Sequence, residues 1–294
     1  MFRKDSIPRI IFIIFNTTFL TLLSLACLLP FLHVLFASFS EPTRLARNSG
    51  LIIWPLGFTT MGYKLVAMNP SIVNGLRNTF FYATAGTFIN IMLTSMGAFV
   101  CSNKKFMLRN VIMFMITFSM FFSGGLVPYY LLVRNLHMDN TVWAIIIPTA
   151  ISAYNLILMR TAFSEIPESL EESARIDGAG DFTILFRIII PVSMPVVSVM
   201  ILFYAVAHWN SWFQAMIFLR NRSLYPLQLV LREILINNNV SQIIVVANAG
   251  DSTNLYRPLI KYSSIIVSIV PIICVYPFIQ KYFVRGIMIG SIKG

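Results

Sequence analysis

The 294-residue chain alternates long apolar runs with short polar breaks. A helix needs roughly 20 apolar residues to cross the about 30 Å hydrocarbon core of a bilayer. Six stretches reach that length, at about residues 10–39, 79–101, 111–133, 142–163, 192–219 and 262–283. They are too long and too uniformly apolar for barrel strands, which alternate between lipid and lumen. The pattern predicts an all-α membrane protein of six transmembrane helices, in one domain covering residues 1–294. Pro30, Pro128, Pro148 and Pro271 fall in or near the runs. Membrane helices tolerate proline where neighbours satisfy the freed carbonyls.

The first run is about 30 residues long, well beyond a signal-peptide core, and no small-x-small cleavage site follows it. It is expected to remain as the first span. Six spans place both ends on one side of the membrane. With the N-terminus inside, the inner segments carry twelve Lys and Arg and the outer segments ten. The inner segments are shorter and hold their charges close to the span ends, which favours N-in, C-in. Segments 40–78 and 220–261 are then external, 164–191 is a cytoplasmic loop, and 284–294 is a cytoplasmic tail.

Composition supports a bilayer protein. Hydrophobic residues make up 57% of the chain and charged residues 11%, against about 25% charged in soluble domains. Cys27, Cys101 and Cys274 lie far apart in or at the ends of apolar runs, with the spacing of neither a disulfide framework nor a metal site. Neither a metal nor a nucleic acid is expected as a partner.

One polar break stands apart. Residues 165–181, EIPESLEESARIDGAGD, hold six of the eleven acidic side chains. Pro167 suits a first helical turn, and Glu168, Glu171 and Glu172 favour the positive end of a helix dipole. The helix can run to about Asp177, with Gly178 as a left-handed C-cap. Leu170, Ser173, Ala174 and Asp177 share a mostly small face, open to close approach by another surface. Asp181 can cap a second helix. Phe182, Leu185, Phe186, Ile189 and Ile190 form its apolar stripe, and Pro191 ends it. The second helix should bind the spans or the membrane interface, leaving the first free for a cytoplasmic partner. A solvated loop with ordinary caps has the same local features.

The spacing goes further. EESARIDGAGDFTILFRIIIP, with Glu172, Ala174, Asp177, Gly178, Ala179, Ile190 and Pro191, resembles the EAA loop of permease subunits of bacterial ABC importers. Ser173 replaces the usual Ala and Ile190 the usual Leu, both in the same size class. The tail KYFVRGIMIGSIKG, with Gly286, Gly290, Lys293 and Gly294, resembles that of maltose-type permeases. GGLVPYYLLV and HWNSWF agree with the same group. The resemblance spans nearly the whole chain. It is closest to the MalG-like half of carbohydrate importers, in the YtcP/LplC-like branch associated with complex or acidic oligosaccharides.

The resemblance implies a type I importer permease. Its EAA loop would form a coupling helix that docks in a cytoplasmic ATPase, with Glu171, Glu172, Ser173, Ala174, Asp177, Gly178, Ala179 and Pro191 as its working residues. Glu172 would pair with a basic group on the ATPase. It also implies two ATPase subunits that bind ATP and Mg, a second and usually different permease, and an external solute-binding protein. This chain carries no G-x-x-x-x-G-K-[ST] phosphate loop, so no cofactor is expected on it. The tail residues Gly290, Lys293 and Gly294 read either as a segment near the ATPase pair or as a disordered end.

Polar groups inside spans are costly and often functional. AHWNSWFQ supplies His208, Trp209, Asn210, Trp212 and Gln214, and the fourth span supplies Tyr154 and Asn155. Indole faces can stack on sugar rings, and the amides and imidazole can bond hydroxyls. The same residues equally suit interhelical hydrogen bonds and interface anchoring. The net-basic external segments suit an acidic binding protein, an anionic oligosaccharide or an ordinary surface. An importer of another solute class is the alternative function. An intramembrane transferase would want an acid/base or nucleophile constellation, whereas the acidic residues here cluster on the expected coupling helix.

Overall fold

A computed structural model describes the backbone of residues 7–236 and 253–291, with side chains described for 7–236, 255–275 and 277. Lys293, Gly294 and residues 237–252 of the expected external loop lie outside the described residues. In chain order the helices are α1 (Ile7–Ser38), α2 (Pro42–Arg47), α3 (Met61–Met68), α4 (Pro70–Ser102), α5 (Arg109–Phe121), α6 (Leu126–Asn135), α7 (Trp143–Ile146) and α8 (Ala153–Ser164). There follow α9 (Glu168–Ile176), α10 (Asp181–Ile184), α11 (Ile190–Val192), α12 (Met194–Trp209), α13 (Trp212–Phe218), α14 (Leu227–Ile236) and α15 (Thr253–Ser291). A π-helical turn, Leu185–Ile189, joins α10 to α11. Among the described residues there is no strand, only an isolated bridge between Ser40 and Phe58.

The all-α expectation holds, and the span boundaries differ. Among the described residues, three helices are continuous, long and apolar enough to cross a membrane: Ile7–Ser38, Pro70–Ser102 and Leu255–Val275 within α15. Two further candidates are bent pairs, Arg109–Phe121 with Leu126–Asn135 at 119°, and Asp181–Val192 with Met194–Trp209 at 91°. The expected fourth span, 142–163, is divided, because α7 stops at Ile146 and α8 starts at Ala153. Pro148 sits in that gap, where it has no N–H to continue the ladder. The expected fifth span, 192–219, breaks at Asn210 and Ser211. The second expected span starts nine residues early, at Pro70, because residues 70–78, PSIVNGLRN, extend the helix.

The chain forms two compact units, Met1–Pro70 with Glu233–Ile269, and Ser71–Arg232 with Val270–Gly294. In the first, Ala37, Leu45, Ile52 and Leu259 are buried together. His33 accepts the Ile52 N–H at its Nδ1 (2.9 Å) and meets the Tyr262 ring edge-on, so it is a packing histidine. None of the most apolar window of α1 is buried within the chain, and its Ile, Leu and Phe side chains face outward.

The second unit is built around α4, whose best window is less apolar and 44% buried. Thr79, Thr87, Asn90, Thr94 and Ser95 are buried along it. An unmade hydrogen bond away from water costs about 1–3 kcal/mol, and all of these but Thr87, whose Oγ1 has none among the described residues, make one. Thr79 Oγ1 accepts the Leu227 N–H (2.8 Å), and the Tyr82 hydroxyl donates to Leu224 O (2.8 Å). Asn78 Nδ2 donates to Ser223 O and Tyr225 O. The N-terminal half of α4 thus ties down segment 223–227. Its other half packs with Met159 and Phe163 of α8, Ala174 of α9, Ile184, Leu185 and Ile189, and Val197 and Met200 of α12.

Candidate functional site

The first candidate site is the loop 164–191. Glu168–Ile176 is helical, with Glu168 and Glu171 in its first turn. Asp177 is the C-cap and Gly178 follows at φ +80°. The Gly178 N–H donates to Arg175 O (3.1 Å) and the Ala179 N–H to Ala174 O (2.9 Å). These are the paired closing bonds of a Schellman ending. A Cβ on Gly178 would meet open space, so its requirement for glycine is one of backbone conformation alone.

The helix is rotated differently from expectation. Ala174 is buried, packed on the unit's own core, with Ala179 beside it. It therefore lies on the inner face, while Ser173 is exposed and donates its hydroxyl to Ser169 O (2.8 Å). Ile176, which the small-face pattern passed over, is 87% exposed. Its signal was available as a large apolar residue in the last turn of a mostly polar helix. Asp177 is exposed beside it.

The acidic side chains are also mostly engaged. Arg175 Nη2 binds Glu171 Oε1 (2.8 Å) and Asp181 Oδ1 (2.6 Å), spanning the turn between α9 and α10. These two carboxylates hold the Arg175 guanidinium above its ordinary range, the Glu171 hydrogen bond foremost. Asp181 is the first residue of α10, after Gly180 as N-cap, so its carboxylate serves Arg175 instead of capping. Lys104 Nζ lies 2.8 Å from Glu168 and Lys105 Nζ 3.6 Å from Glu172. Glu172, expected to be reserved for a partner's cation, thus has one within its own chain.

Pro191 does not end the second helix. The Ile190 N–H reaches back to Leu185 O, a π-type bond, and Pro191 begins the following turn. The wider turn makes room for a ring that would clash with the carbonyl four residues back. The sharp bend falls instead at Ser193, where α12 starts. Ile184, Leu185 and Ile189 are buried, so this helix is bound to the spans.

The second candidate site lies where two helix breaks meet. A cavity of about 240 Å³ is lined by Thr149, Ser152, Asn155, Phe203, Tyr204, Ala207, His208, Ser211 and Gln214. Behind it, Asn90 Nδ2 donates to Thr149 O (2.6 Å) and Ala150 O (3.0 Å), which fixes the amide's orientation. Its Oδ1 faces His208 Nε2 at 2.7 Å. An amide oxygen only accepts, so Nε2 carries the imidazole proton. The Tyr204 hydroxyl accepts the Ser152 N–H (3.1 Å) and lies 2.7 Å from Thr94 Oγ1. A Cβ on Gly86 would overlap the His208 ring at Nε2, so glycine there is what admits the ring.

Of the expected pathway residues, the cavity gathers Asn155, His208 and Gln214. Trp209 instead lines a separate apolar groove with Phe80, Thr87 and Ile201. Trp212 lies under the Arg232 guanidinium, 5.0 Å from the ring centre. Asn210 and Tyr154 are exposed, the former donating to Val206 O. Gly290 falls within α15. Asn90 and Tyr204, which organise the cavity, were missed. Asn90 had one signal, an amide in the middle of an apolar run.

Among the described residues the fold is all-helical, with bent and divided apolar helices and an amphipathic loop, buried on one face, between two of them. The family described as "Binding-protein-dependent transport system inner membrane component" matches residues 91–289, and the chain belongs to it. The chain is 37% identical to the polygalacturonan/rhamnogalacturonan transport system permease protein YtcP of Bacillus subtilis (strain 168), over 94% of this chain and 96% of that protein. It is 36% identical to protein LplC of the same organism, over 97% and 95%. A trehalose/maltose transport system permease protein, MalG of Thermococcus litoralis, is 28% identical over 99% of each chain. Among solved structures, a chain of a bacterial ABC transporter involved in import of the acidic polysaccharide alginate superposes with a TM-score of 0.89 at 31% identity, covering 96% of this chain and all of that one. The chain is thus a multi-pass inner-membrane permease component of an ABC transporter and not an enzyme.

Proposed function

We propose that the chain is one permease of an ATP-driven importer of oligosaccharides, moving acidic, uronide-containing chains by alternating access. The observation that carries the reading is the loop 164–191, a polar helix standing on the core by Ala174 with Ile176 and Asp177 turned outward. In this role the loop is cytoplasmic, the topology is six passes with both ends inside, and α9 seats in a cleft of an ATPase subunit that binds ATP and Mg. Closure of two such subunits would move α9. The buried helix 181–192 would pass that motion to α12.

The remaining partners are a second, different permease, an external solute-binding protein and the bilayer. A saccharide is supported by the relatives, which include permeases for polygalacturonan and for trehalose and maltose. An acidic one is supported by the alginate importer and by the basic balance of segments 40–78 and 220–261. The cavity by His208 is lined by hydroxyl, amide, imidazole and apolar groups without a formal charge, which suits the hydroxyl face of a sugar. Its breaks expose backbone and side-chain polarity where a solute can use it.

The test is to co-purify the complex and measure ATP hydrolysis with the binding protein loaded with neutral or acidic oligosaccharides. Stimulation by oligogalacturonides is expected. Stimulation by neutral sugars alone would remove the acidic assignment, and stimulation by non-sugar solutes alone would remove the saccharide.

A further inference from the structure

We propose that Lys104 and Lys105 are positioning residues that clamp the coupling helix, making the α4–α5 connection a second lever for its motion. The proposal rests on the coupling role given above to α9.

Glu168 and Glu172 lie one turn apart and so share a face of α9. Two consecutive lysines meet them, Lys104 at 2.8 Å from Glu168 and Lys105 at 3.6 Å from Glu172. The lysines stand on a turn fixed to the end of α4. Asn103 Oδ1 accepts the Lys105 N–H (2.8 Å), Asn103 O accepts the Phe106 N–H, and Arg160 Nε donates to Cys101 O (3.3 Å). From its other side α9 inserts Ala174 into a cluster that includes Ala98 and Phe99 of α4.

Packing and ion pairs thus grip the helix at separate places, which fixes its rotation and keeps Ile176 outward. A cavity of about 90 Å³ lies between the charged residues and Phe99 and Phe163. The gap is therefore closed by the ion pairs and not by side-chain packing. Exposed pairs are individually weak and screened by salt. They suit holding a moving helix in register better than folding it. A push on α9 would then reach α4 through residues 102–105 as well as α12 through residues 181–193.

The test uses the assembled complex in proteoliposomes, reading solute transported per ATP hydrolysed. Lys104→Glu/Lys105→Glu and Glu168→Lys/Glu172→Lys are each expected to lower this ratio by about three- to tenfold, the scale of two exposed pairs. The fourfold exchange should recover it to within about twofold of the wild type. Lys104→Gln/Lys105→Gln should give a smaller loss of the same sign, and it covers a reversal that fails to insert. An unchanged ratio in both lysine variants overturns the clamp. So does a fourfold exchange as poor as Glu168→Lys/Glu172→Lys, which would assign the glutamates to the ATPase. Gly178→Val separates the two readings. If it uncouples while the lysine variants do not, the coupling helix stands and the clamp falls. If neither uncouples, the coupling role itself falls.

Discussion

The loop 164–191 and the cavity beside His208 are both polar interruptions of an apolar chain, built in opposite ways. The loop is contiguous. Four of its acidic side chains, Glu168, Glu171, Glu172 and Asp181, are matched by Lys104, Lys105 and Arg175 at distances from 2.6 to 3.6 Å. Such exposed pairs are individually weak and yield to salt or to a competing charge. The cavity draws on α4, α8, α12 and the segment between α7 and α8. Its bonds are buried, and leaving one unmade costs about 1–3 kcal/mol. One region is made to be moved and the other to hold helices in place while leaving a polar hollow.

The hardest blow to this contrast is predicted from the smallest change. Gly86→Ala should force His208 off Asn90, because the new Cβ would overlap Nε2. Overpacking of this kind costs about 1–3 kcal/mol. It should appear as a lower melting temperature and yield of the purified subunit. Unchanged stability would mean that the His208–Asn90 pair does not hold α4 to α12.

Gly178→Val should act on the loop alone. The left-handed conformation costs a side chain roughly 1–2 kcal/mol, and open space around it gives no clash to add. Insertion should be normal while coupled transport falls, by about five- to thirtyfold. Loss of insertion would show that the loop carries folding after all.

Ile176→Ser tests the outward knob. It removes an 87% exposed side chain from the chain's own surface, so subunit stability should stay within about 0.5 kcal/mol. Co-purification with the ATPase should fall severalfold. Equal recovery of the ATPase would move the docking surface away from Ile176.

The smallest effect is one of pH. The Glu168 carboxyl is held below the usual glutamate range by its hydrogen bond to Lys104, with the Lys104 charge adding to it. A depressed pKa contributes stability above the unfolded value and loses it as pH falls through the folded one. The Lys104–Glu168 pair should therefore be constant from pH 6 to 8 and weaken only below the ordinary glutamate range. A loss of the pair near pH 7, followed by the carboxylate signal of a labelled Glu168, would contradict this.

Much of the loop was legible because helix ends are local. Pro167, the acidic first turn and Gly178 each report on neighbours a few residues away, and the observed helix ends at Ile176 with Gly178 left-handed. What failed was orientation. The spacing grouped Ala174 with Ser173, yet Ala174 is buried against Phe99, Phe163 and Ile189. Periodicity gives a face without saying which way it points. The pairing of Glu172 with Lys105 was likewise invisible, since 67 residues of chain separate them. For the pathway, the polar run 208–214 was visible, but its members diverge. His208 and Gln214 reach the cavity, while Trp209 lines the apolar groove and Trp212 meets Arg232.

A helical membrane protein, an acidic segment that is a capped helix followed by an apolar one, and a family resemblance could all be read from the order of residues. Length, apolarity and cap chemistry act over one or a few turns, so they can be read in order along the chain. Where spans bend or divide, which face of α9 is inward, and which distant groups complete each polar side chain were set by the packed fold. Those outcomes depend on buried hydrogen bonds and packing between residues far apart in sequence, such as Asn90 with His208 and Glu168 with Lys104. No local pattern names a partner 118 residues away.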